Sequence, residues 1–244
     1  MRTQKSDISG NFFSGIFSLY FQHLRPIFTM HRLLGVCFQL LHLAVSLYPQ
    51  RCIHHNQIKM NLVKKENTIG IAYVLATLAA VVFTWLLHEF SHWATGGLLG
   101  DPMVMTLNAC YPKSGGYTGS WHEAAISMAG PVVTLTEAVI FYWLLKRSPH
   151  KLLFPFLLTC FYMRLLAGVM NFINLNDEGR VSRWLGMGTF ALPVVISGIL
   201  FYLVYDIVKT RKFSAKLIVL TLLLIMLFSS IIILADQAFK VRIL

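Results

Sequence analysis

The sequence predicts an all-α membrane protein: a polytopic bundle of five to six transmembrane helices, with a short Gly-rich loop, able to hold β structure, after the first core helix. Three observations carry this. Hydrophobic residues make up 56% of the 244 and charged residues only 13%, whereas a soluble domain carries roughly 25% charge. Mean hydropathy is +0.64. Five apolar runs are long enough to cross about 30 Å of hydrocarbon at about 1.5 Å per residue. Open strands leave backbone groups unsatisfied in lipid, so these runs must be helices.

Residues 1–59 form an extension rich in His, Gln and Arg. Within it, Leu33–Tyr48 is apolar but interrupted by Gln39 and His42. It is either a poor span or an interfacial helix. Met60-Asn61-Leu62-Val63-Lys64-Lys65 reads as a natural start before a first span. A mis-assigned start and a genuine N-terminal helix both remain open. Residues 60–244 form the membrane-embedded unit. Its first run is Ile69–His92, with no charged residue from Ile71 to Leu87.

The next stretch, Gly96–Trp121, contains Gly96, Gly97, Gly100, Gly115, Gly116 and Gly119. Met103–Leu107 predicts a short strand, and Gly115-Gly116-Tyr117 a turn leading into a second one. The exposed edge of such a strand suits pairing with an extended peptide; a plain connector is the alternative. The remaining spans are Ala124–Leu145, Leu152–Phe172, Leu185–Val208 and Leu217–Ala235.

The net charge of +11 sits in short clusters flanking the apolar runs, the pattern of membrane anchoring. No basic stripe interleaved with aromatics exists, which excludes a nucleic-acid partner and leaves the lipid bilayer. Lys59, Lys64, Lys65, Lys146, Arg147, Lys151, Lys209, Arg211, Lys212 and Lys216 fall on one side of the alternating spans. Lys113, Arg180, Arg183, Lys240 and Arg242 fall on the other. The positive-inside rule therefore puts Met60 in the cytoplasm. Cys37, Cys52, Cys110 and Cys160 are too scattered for a disulfide framework or a zinc knuckle.

His88-Glu89-Phe90-Ser91-His92 has the form H-E-x-x-H. On a helix, residues four apart share a face, so both imidazoles can bind one Zn²⁺ with Glu89 beside the metal's open position. Ionisable groups inside a span are costly and usually functional. Catalytic zinc generally takes three protein ligands. Asp177, in Asn171-Phe172-Ile173-Asn174-Leu175-Asn176-Asp177-Glu178-Gly179-Arg180, follows directly on a span and is the third candidate, with Glu178 as its rival. An ordinary polar turn explains the same residues otherwise.

In this order the residues resemble the site-2 proteases, a family of intramembrane zinc metalloproteases. His88-Glu89-x-x-His92 is similar to their zinc motif. Ala129-Gly130-Pro131, preceded by the Gly-rich loop, resembles the start of their next core helix. Asn171 to Arg180 is similar to their N-x-x-P-x-x-x-L-D-G-G-R segment, with Asn174 in place of Pro, Glu178 in place of Gly and a spacing two residues short. The resemblance covers roughly residues 69–185. It implies zinc held by His88, His92 and Asp177, and Glu89 as general base. It further implies transmembrane segments of other proteins as substrates. Asn171 or Asn174 would donate to the developing oxyanion, or serve only as a helix cap.

The expectation is thus an intramembrane zinc metalloendopeptidase, with a catalytically inactive membrane scaffold as the alternative. Oligomeric state is not set by the sequence. A short chain without appended domains favours a bacterial cytoplasmic membrane. Glu137 and Arg164, inside adjacent spans, are expected to pair, an arrangement that would also suit a small transporter. His122-Glu123 reads as a helix start, and His54-His55 as an incidental pair.

Overall fold

In the computed structural model, residues 67–148, 150–239 and 242–244 are described. The extension 1–59, the stretch Leu33–Tyr48, His54-His55 and the candidate start at Met60 lie outside them. The described residues form six helices and one hairpin. Helix α1 (Ile71–Leu99) leads into strands β1 (Met103–Met105) and β2 (Cys110–Pro112). Helix α2 (Ser120–Arg147) follows; then a 3-10 turn at Lys151–Leu153 opens α3 (Phe154–Met170). The short α4 (Asp177–Trp184) precedes α5 (Ala191–Arg211) and α6 (Ala215–Phe239). All but α4 are long and apolar enough to cross a membrane, which makes this a multi-pass membrane protein.

The apolar runs set the helices, and local chemistry sets their ends. Helix α1 does not stop at His92 but continues through Gly96 and Gly97. It closes at Gly100, whose φ of 82° supplies the left-handed C-cap. The fourth span begins at Ala191 rather than Leu185, because Leu185 is spent as the C-cap of α4. Pro155 opens α3 in its first turn, where a missing N–H costs nothing.

Tyr73, Val81 and Trp85 of α1 join Phe154, Leu157, Leu200, Leu217 and Ile225 in one buried cluster. Hydrogen bonds cross it where polar groups face inward: Tyr73 Oη with Thr221 Oγ1 at 2.8 Å, and Trp85 Nε1 to Ser229 Oγ at 3.3 Å. The outer faces carry Leu75, Phe83, Val139, Ile140, Phe201 and Leu227, all exposed. So many outward apolar side chains fit a lipid surround, not water.

The two ends of the bundle differ. At one end Lys151 Nζ donates to Thr68 O at 2.7 Å, Ser214 N to Asn67 Oδ1 at 2.7 Å, and Lys146 pairs with Asp206 at 2.5 Å. These contacts gather the starts of α1, α3 and α6 with the ends of α2 and α5. At the other end sits the hairpin, with Met103 opposite Pro112 and Met105 opposite Cys110.

Its second strand precedes Gly115-Gly116 instead of following it. The reversal falls earlier, where Thr106 N donates to Ala109 O at 2.8 Å. Asp236 of α6 fixes that bend by accepting from Thr106 Oγ1 and Leu107 N, each at 3.0 Å. The outer edge of β1 is covered rather than exposed. Met105 N donates to Leu244 O at 3.0 Å, and Ile243 N to Met105 O at 2.8 Å.

Candidate metal centre

His88, Glu89 and His92 lie on α1 about 26 to 32 Å from its start, using the helical rise of about 1.5 Å per residue. All three are buried. The helical spacing puts both imidazoles on one face, with their Nε2 atoms 3.1 Å apart. Asp177 comes from the first turn of α4, where Asn176 caps the helix by accepting from Asp177 N at 3.0 Å. Its Oδ2 is 3.2 Å from His88 Nε2 and 3.4 Å from His92 Nε2.

These three side chains could hold a metal ion, and their chemistry fits zinc. A regular tetrahedron with bonds of about 2.0–2.1 Å has edges of about 3.3–3.4 Å. The observed triangle, 3.1, 3.2 and 3.4 Å, matches three corners of such a figure. The tautomers are set from behind. Thr134 Oγ1 gives its own hydrogen to Gly130 O at 3.0 Å, so it accepts from His88 Nδ1 at 3.2 Å. Ile126 O accepts from His92 Nδ1 at 2.6 Å. Each ring therefore turns an Nε2 lone pair inward, the outer-shell arrangement of metal-ligating histidines.

Helix α2 can approach this closely because residue 130 is glycine. A Cβ there would collide with the His88 and His92 rings.

Glu178, the rival ligand, turns away from the triangle. It is fully buried, and its Oε1 accepts from Arg164 Nη1 at 2.9 Å. This corrects the expected Glu137–Arg164 pair. Both residues do face the interior, at 4% and 2% exposure. Yet Arg164 lies near the site end of α3, where α4 folds back to meet it. Glu137 Oε1 accepts instead from Thr84 Oγ1 at 2.7 Å. Sequence reasoning missed that Arg164 borders the His88–His92–Asp177 triangle. Its Nη2 is 3.3 Å from His88 Nε2, and its Nη1 is 3.9 Å from Asp177 Oδ2. The usable signal was a cation in a span beside a second acid, Glu178, in the motif.

Asn171 is buried at the end of α3, where its Nδ2 donates to Ala167 O at 3.1 Å and more weakly to Gly168 O at 3.4 Å. Its Oδ1 accepts from Asn176 N at 2.7 Å. It thus braces the turn that delivers Asp177. Asn174 is exposed on that turn. His122 faces Asp101, with Nδ1 to Oδ2 at 2.7 Å, and is no part of the triangle. The Cys110 thiol on β2 is pushed up to about 12 by burial, and further by Glu89 and Asp177, so it is no ready nucleophile.

The site is therefore a buried His-His-Asp triangle, walled by α2 and bordered by an arginine–glutamate pair. Comparison of the chain with protein-family models, with curated proteins and with solved structures returns no match.

Proposed function

We propose that this chain is a zinc metalloendopeptidase that hydrolyses peptide bonds in or near transmembrane segments of other membrane proteins. The observation that carries the reading is the triangle of His88, His92 and Asp177 at tetrahedral spacing, with Glu89 adjacent on the same helix. The likeness of the motif order to site-2 proteases supports it. So does the setting, since a site at the end of a membrane-length helix is reached most readily by a segment already in the bilayer.

Bound at the triangle, zinc would polarise the scissile carbonyl and lower the pKa of a coordinated water. The chain's own residues do the rest. Glu89 accepts the water proton and hands it to the leaving amide nitrogen. Thr134 and Ile126 hold the imidazoles in the productive tautomer. Burial keeps bulk water from competing for these interactions. The clustered cations at the Lys146–Asp206 end favour an orientation with that end in the cytoplasm.

The test is cleavage of a reporter transmembrane segment in proteoliposomes. Glu89→Gln is expected to keep zinc and fold but to lose cleavage, because an amide cannot take the proton. Equal cleavage by both proteins, or purified protein with no zinc, would sink the reading. Labelling of Lys113→Cys from the cytoplasmic side alone would reverse the orientation.

A further inference from the structure

We infer that Arg164 is the group that stabilises the oxyanion formed at this centre, with Glu178 as its positioning residue; this rests on the zinc-hydrolase reading above. Arg164 is 2% exposed, deep among helices, and its guanidinium reaches the triangle from α3. Nη1 is fixed by Glu178 Oε1 at 2.9 Å, which leaves Nη2 pointing at His88 Nε2, 3.3 Å away. An imidazole nitrogen has one lone pair. Once that pair is given to a zinc ion, Nη2 has lost its acceptor, and a buried donor must find another. An oxygen held beside the three ligands would then supply that acceptor.

The charges agree with this placement. A zinc dication and the guanidinium bring three positive charges, and Asp177, Glu178 and Glu89 bring three negative ones. With zinc bound, those formal charges would cancel. The expected alternative donors are occupied or distant: the Asn171 amide is spent on Ala167 and Gly168, and Asn174 is exposed.

In the reaction, the water oxygen bonds to the carbonyl carbon and the C=O π pair moves onto oxygen. That oxygen receives the Nη2 hydrogen bond. When the pair returns, the C–N bond breaks and the proton held by Glu89 goes to nitrogen. Nothing further is consumed.

The test uses two probes on the full chain in detergent: a phosphinic pseudopeptide, which presents a tetrahedral anionic oxygen, and a thiol-bearing peptide of the same sequence, which presents only sulfur. The variants are Arg164→Lys and the double replacement Arg164→Met with Glu178→Leu. The double change exchanges a buried ion pair for apolar groups, which folds tolerate. Phosphinate affinity is expected to fall about ten- to a hundredfold in the double variant, the scale of a charge-assisted hydrogen bond. Zinc content and thiol affinity should stay within about threefold, and Arg164→Lys should fall between. Equal loss for both probes, unchanged phosphinate affinity, or loss of zinc in the double variant would each overturn the assignment. Absence of zinc from the unaltered protein would instead overturn the zinc reading itself.

Discussion

Of two ion pairs that bridge helices among the described residues, the shorter is the weaker. Lys146 Nζ and Asp206 Oδ2 are 2.5 Å apart at the basic end, with side chains 33% and 27% exposed. Arg164 Nη1 and Glu178 Oε1 are 2.9 Å apart at the site end, with side chains 2% and 0% exposed. Water and salt screen the first pair, so it contributes about 0–1 kcal/mol. No solvent shields the second. Separating its partners leaves a bare charge among apolar groups. Environment, rather than distance, decides what such a contact does: the first trims a rim, and the second fixes α4, and with it Asp177, to α3.

The comparison predicts a graded series. Glu178→Ala strands the Arg164 guanidinium and is expected to cost about 3–5 kcal/mol, read as a large drop in the thermal midpoint in detergent and, on the proposed zinc reading, loss of the metal. A midpoint equal to that of the unaltered protein would show the buried pair to be no stronger than the rim pair. Gly130→Ala leaves every charge in place but drives a methyl into the His88 and His92 rings. Overpacking of this kind costs about 1–3 kcal/mol, and zinc affinity should fall more than stability does. Retention of tight zinc binding would mean that α2 yields freely.

Asp101 stands between the extremes. It is buried at the end of α1 and accepts from Thr118, through both its hydroxyl and its backbone N–H, and from His122 Nδ1. The Thr118 hydrogen bonds, with His122, hold its carboxyl below the usual range although burial opposes them. A depressed carboxylate stabilises the fold above its unfolded value near pH 4, and the gain is lost as pH falls through the folded one. Proteolysis of the 101–119 segment should therefore rise on acidification below about pH 4, and Asp101→Asn should flatten that rise. An unchanged acid profile in the variant would assign the lability elsewhere. The smallest effect belongs to the rim: Lys146→Met is expected to cost no more than about 1 kcal/mol, and even that should vanish at high salt. A larger, salt-independent loss would erase the contrast.

Much of this was legible in the chain. Hydropathy alone locates five spans, because lipid punishes any other reading of runs such as Leu217–Ala235. The spacing of His88 and His92 follows from helical geometry, and Asp177 from its place at the end of a span. The Arg164–Glu178 pair was not legible. It depends on α4, eight residues long and polar, turning back toward the bundle, and no local pattern encodes that return. Counting depth from the turn at Lys146–Lys151 matched Arg164 with Glu137 by height alone. The hairpin register was missed for a similar reason. Gly115 and Gly116 are the stronger turn signal, but Asp236, over a hundred residues away, clamps the earlier bend.

The covered edge of β1 has a consequence for anything that arrives there as an extended chain. Met105 already spends both its N–H and its C=O on residues 243 and 244. A newcomer gains no hydrogen bond at that position until it evicts this tethered rival, whose effective concentration is of order millimolar. A chain that did pair there would have to displace residues 243 and 244, by abundance or by better side-chain fit.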